Sequence, residues 1–75
     1  MNKFDAARNA GEVLRMLIRQ NYATQQEFAD DYGLEIRTVN RYINEGISKV
    51  NVVQELSEFF QVDLVLFLTP LARKE

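Results

Sequence analysis

The chain has 75 residues, with one proline, three glycines, 47% hydrophobic residues, and neither cysteine nor histidine. That length and composition suit one small all-helical domain, and they exclude a disulfide framework or a thiolate metal site. Without an imidazole base for Ser48 or Ser57, and with Asp30 and Asp31 adjacent and so diverging on a helix, hydrolytic and metal chemistry are not expected; neither is a cofactor. A formal net charge of −2 and a pI near 5.1 argue mildly against nucleic acid unless the cations are grouped.

No run approaches the roughly 18 apolar residues of a membrane span, and MNKFDAARNAGE lacks the apolar stretch of a signal peptide. A cytoplasmic protein with no membrane partner is the expectation. From Ala7 to Gln20, apolar residues at Ala7, Ala10, Leu14, Leu17 and Ile18, widened by Val13 and Met16, predict an amphipathic helix that Asn21 and Tyr22 end. Arg8, Arg15 and Arg19 share another face, read as solvated rather than phosphate-contacting. Gly11 within this helix implies close packing or a frayed start.

Thr24 opens the next helix with a Thr-Gln-Gln-Glu capping box, in which Thr24 and Glu27 satisfy free amides reciprocally. Gln25 then projects past a helix N-terminus, where free N–H groups and the dipole favour phosphate. Phe28, Ala29 and Tyr32 form the buried side, and Gly33 supplies a left-handed cap for a sharp turn. A methyl at Ala29 lets a following helix cross closely, with Val39 as its contact. That helix is predicted from Glu35 to Asn44, burying Val39, Tyr42 and Ile43. Ile36, Arg37, Asn40, Arg41 and Asn44 then share the opposite face. Arginine can fork onto guanine, asparagine onto adenine, and an aliphatic group can meet a thymine methyl.

Residues 24–44 therefore read as a helix-turn-helix, and the chain resembles the Cro/CI-type (XRE) regulators of phages and bacteria over residues 14–68. The resemblance is carried by Gln25, Phe28, Ala29, Tyr32, Gly33, Leu34, Val39 and Tyr42 at the family's spacing. It implies a compact all-α, five-helix lambda-repressor-like domain spanning residues 1–75. It also implies base reading by Ile36, Arg37, Asn40 and Arg41, and DNA-backbone contacts from Gln25, Asn44 and Lys49. The chain departs from the family's pattern in several places. Ile18 and Ile43 stand where many members bury an Arg–Glu pair, an apolar exchange that is often neutral or stabilising. Tyr22 and Gln61 replace glycines at helix ends, and the glycine after the third helix is Glu45 or is shifted to Gly46.

Val52, Val53, Leu56, Phe59 and Phe60 predict a fourth helix packed on the core, and Asp63 an N-cap for a short fifth. LVLFL has more apolar residues than a one-sided helix buries. Exposing Val65 and Leu66 would forfeit roughly 1.5–3 kcal/mol each, so residues 63–71, with Val65, Leu66, Leu68 and Leu71, are assigned to a homodimer interface. The alternative is a strand, DLVLFLT, paired with its twin. The expected function is a repressor-type transcriptional regulator that reads a pseudopalindromic double-stranded DNA operator as a homodimer, nucleoid-associated when bound. The alternative is a protein-interaction module of the same fold, an antirepressor or adaptor; a protein antirepressor is also a partner to consider for the regulator.

Overall fold

The computed structural model describes residues 5–71, which form five helices and, among the described residues, no strand. They are α1 (Ala6–Asn21), α2 (Gln25–Tyr32), α3 (Ile36–Glu45), α4 (Val50–Phe60) and α5 (Leu64–Leu68). No helix among the described residues is long and apolar enough to cross a membrane.

The longest helix, α1, is capped by Asp5, whose carboxylate accepts the Arg8 N–H at 3.2 Å. Its stripe of Ala10, Val13, Leu14, Leu17 and Ile18 is buried, while Arg8, Arg15 and Arg19 are exposed. Around that stripe the other helices close a single core, to which they contribute Phe28, Val39, Leu56 and Phe67, all fully buried. Ile43 and Tyr42 are half-buried against this core, and Tyr32 likewise. Ser57, the buried polar residue, is satisfied by donating to the Gln54 carbonyl at 2.8 Å.

Gly11 is buried because α1 lies against the C-terminal end of α3 there. A Cβ at Gly11 would come within 2.3 Å of the Tyr42 carbonyl oxygen and 3.3 Å of the Gly46 Cα. Close packing, and not fraying, accounts for this glycine. The α3 helix ends at Glu45, one residue later than the sequence pattern suggested, and Gly46 is its cap with φ 103° and ψ 172°. That backbone region is essentially restricted to glycine. The next amide, Ile47 N–H, donates to the Ala7 carbonyl at 2.9 Å and ties the loop to α1.

In α4, Val53 and Leu56 are buried and Val52 and Phe60 half-buried, but Phe59 is not a core residue: it remains 38% exposed. Gln61 ends this helix in the left-handed region, φ 59° and ψ 45°, as the one non-glycine residue with positive φ among those described. The strand alternative for DLVLFLT is overturned. Asp63 caps α5 by accepting the Val65 N–H at 3.0 Å. Helical spacing then brings Leu64 and Phe67 to the same side, whereas a strand would have set them on opposite faces. Asn9 fastens the segment after α5: its side-chain amide donates to the carbonyls of Phe67 (3.1 Å) and Thr69 (2.8 Å), and its oxygen accepts the Leu71 N–H at 3.1 Å.

Two substitutions test these backbone constraints. Gly11→Ala should lower unfolding free energy by about 1–3 kcal/mol in urea titration, although alanine is favoured by ~1 kcal/mol in an ordinary helix, because the added methyl meets backbone. Gln61→Gly should raise it by about 1 kcal/mol and increase Tm, by relieving a left-handed residue with a Cβ.

Candidate nucleic-acid interface

The α2–α3 unit starts at Thr24, whose hydroxyl accepts the Glu27 N–H at 3.1 Å. The return half of the expected capping box is displaced by one residue, since the Glu27 carboxylate accepts from Ala23 N–H at 3.0 Å rather than from Thr24. Gln25, half-buried, begins the first turn. At the other end Gly33 adopts φ 92°, and the N–H groups of both Gly33 and Leu34 donate to the Ala29 carbonyl at 2.9 Å. Ala29 and Val39 are completely buried, which seats α3 tightly across α2.

With Val39 inward, α3 turns Arg37, Asn40, Arg41 and Asn44 to solvent. Among the described residues, none of these side chains makes a hydrogen bond or an ion pair; the one salt bridge is Arg15–Glu12, at 3.8 Å. Ile36 differs from its neighbours on that face, being half-buried against the core at the first turn. The Arg41 guanidinium lies 5.9 Å from the Tyr42 ring centroid, a cation–π distance that orients it without neutralising it.

Beyond the end of α3, Arg41 and Lys49 line one depression of about 320 Å³, with Tyr42, Glu45 and Ser48 on its walls. Lys49 is exposed and is the N-cap of α4, and no side chain caps that helix. Two cations separated by a helix end and a loop in sequence thus share one concavity.

The residues assigned to an interface divide. Val65 and Leu68 are 59% and 52% exposed. Leu66 and Leu71 are half-buried against their own core, and so offer less free surface than the sequence suggested. The apolar surface instead includes Val50, which the sequence pattern does not single out and which is 65% exposed. It precedes Val53 by three residues and so continues the stripe of α4 one turn past the core's edge. Val50, Leu64 and Leu68 line an apolar groove of about 330 Å³, floored by Ala6, Ala7 and Ile47. Asn9 likewise escapes a reading of the sequence, and no local signal marks it, because its partners are main-chain groups 58 to 62 residues away.

Comparison with protein-family models, with characterised proteins and with solved structures returned no match.

The placement of α2 also depends on Tyr22, whose hydroxyl donates to the Asp31 carboxylate at 2.6 Å while its ring meets Phe28 edge-on at 5.6 Å. That hydrogen bond, with burial and the carboxylate's charge adding to it, pushes the phenol from 10.0 up to about 12. A raised acid pKa stabilises the fold below the unfolded value and ceases to do so as pH rises through the folded one. Stability should therefore fall between about pH 10 and about pH 12, and urea titrations across that window should show a smaller fall for Tyr22→Phe, which keeps the ring and removes the proton.

Proposed function

We propose that the chain is a sequence-specific double-stranded DNA-binding transcriptional regulator of the Cro/repressor type, acting as a homodimer on a pseudopalindromic operator. The observation that carries this reading is the α3 row of Arg37, Asn40, Arg41 and Asn44, exposed and unengaged on a helix pinned from behind by Val39. These side-chain types are the ones that fork onto guanine and adenine edges in the major groove. Ile36, half-buried beside them, keeps only part of its surface for a thymine methyl. Gln25 at the start of α2, Asn44 and Lys49 supply contacts to the sugar–phosphate backbone, which fix register rather than sequence.

Net charge does not contradict this role, because Arg37 and Arg41 share the exposed side of α3, and Arg41 and Lys49 line one depression. A homodimer supplies the remaining affinity by presenting two reading helices about 34–36 Å apart. The apolar groove of Val50, Leu64 and Leu68, with Val65 on the same short helix, is the surface such a pairing would cover. It shares Ala7, Ile47 and Ser48 with the Arg41–Lys49 depression, so pairing there would set two reading heads side by side.

Selection of sites from random duplex DNA at ~50 mM salt should return a pseudopalindrome; absence of any enriched sequence would refute the reading. On the selected site, Arg41→Ala should lose ~1–3 kcal/mol in anisotropy titration and relax preference at one base pair. Leu68→Glu should keep its helical circular dichroism, sediment as a monomer and lose two-half-site binding.

A further inference from the structure

Charge is segregated in this molecule. Between them α2 and α4 carry Glu27, Asp30, Asp31, Glu55 and Glu58 and no lysine or arginine, whereas Arg37, Arg41 and Lys49 lie on α3 and at the entry to α4. The same two helices carry an aromatic cluster. Phe28, fully buried, stacks on Tyr32 (5.3 Å between centroids) and Phe60 (5.5 Å) and meets Phe59 edge-on at 6.0 Å. Phe59 also stands at 89° to Tyr32, 4.8 Å away. This cluster is not sealed: Phe59 is 38% exposed, and a depression of about 280 Å³ opens on Tyr22, Phe59 and Phe60, edged by Asn21 and Gln61.

Carboxylates border those rings. Asp31 accepts the Tyr22 hydroxyl, and the charges of Glu55 and Glu58, after burial, help to raise the Tyr32 phenol. A ring-walled hollow edged by the amides of Asn21 and Gln61, with no lysine or arginine in its lining and with Asp31, Glu55 and Glu58 against the surrounding rings, is unsuited to phosphate, which it repels.

We propose that this face is a docking surface for a cationic segment of a partner protein, one presenting an arginine or lysine beside an aliphatic side chain. The aliphatic group fills the hollow and removes the Phe59 ring from water, the cation lies against an aromatic ring, and the flanking carboxylates hold it by charge-assisted hydrogen bonds. A second copy fits less well. Among the described residues, its exposed arginines outside the reading head, Arg8, Arg15 and Arg19, lie on α1, and such a head-to-tail contact would propagate into an open chain. The surface is independent of the DNA reading, since none of its residues belongs to the reading row.

Panning a random-sequence peptide library on the full chain tests the proposal. Peptides with an arginine or lysine next to a leucine, isoleucine or valine should be enriched. Added to isotope-labelled protein, they should move the amide resonances of Tyr22, Tyr32, Phe59 and Gln61. Phe59→Ala should weaken binding roughly tenfold or more. Because that change thins the aromatic cluster, the exposed double variant Glu55→Gln/Glu58→Gln is measured beside it and should weaken binding roughly fivefold with a smaller salt dependence. Enrichment of uncharged or acidic peptides, no enrichment, or resonance changes centred on Val50 and Leu68 would each overturn the proposal. So would concentration-dependent self-association abolished by the double variant. Operator titration of the double variant reads DNA binding separately, so failure of one reading is distinguishable from failure of the other.

Discussion

Gly11 has no side chain to hold the first and third helices apart, and the rest of the architecture depends on that close approach. With the α1 backbone against the Tyr42 and Ile43 carbonyls, α3 is fixed at its C-terminal end, while Val39 anchors it near its middle. Gly46 completes the joint, because a Cβ there would meet the Ala7 carbonyl oxygen at 2.6 Å. The loop that leaves it is bonded to Ala7, so the entry to α4 and Lys49 are positioned by the same contact. Rigid seating of this kind is what a row of polar side chains needs if their directions are to carry specificity.

Burial of one side of each helix leaves distinct surfaces on the others. The polar side of α3 carries the unengaged Arg and Asn side chains that support a DNA-reading role. Val50, Leu64 and Leu68 form an apolar groove next to it, suited to covering by a second copy. The side formed by α2 and α4 is acidic and partly aromatic. Such separation lets a chain of net negative charge keep one locally basic patch, since electrostatic contact is decided over distances near a Debye length, about 8–10 Å, and not by the whole-chain sum.

Much of this architecture is legible in the residue pattern because it rests on short-range periodicity. The Ala10–Ile18 stripe, the Thr24 and Asp63 caps, the left-handed Gly33 and the inward Val39 all derive from spacings within one or two turns. Features that the pattern misses depend on contacts remote in sequence. Phe59 falls on the apolar stripe of α4, yet no helix covers it beyond Tyr32 and Phe28, and it stays partly exposed. Leu66 looks solvent-facing from its position, but the turn after α5, held by Asn9, returns the chain so that both Leu66 and Leu71 pack on the core. Gln61 occupies a left-handed position that its side chain does not advertise.

By itself, the sequence determined the helical class, the starts and stops of the first four helices to within a residue or two, and the face of α3 that carries Arg37, Asn40, Arg41 and Asn44. These are local consequences of a 3.6-residue period, of capping chemistry and of glycine's access to positive φ. Only the tertiary structure decided that LVLFL is a helix, that Arg41 and Lys49 share a hollow, and that Val50 joins Leu64 and Leu68 in one apolar groove. Each of these depends on how helices cross, which is set by the fit of side chains far apart in the chain. Such fits leave no periodic mark on the sequence of any single helix.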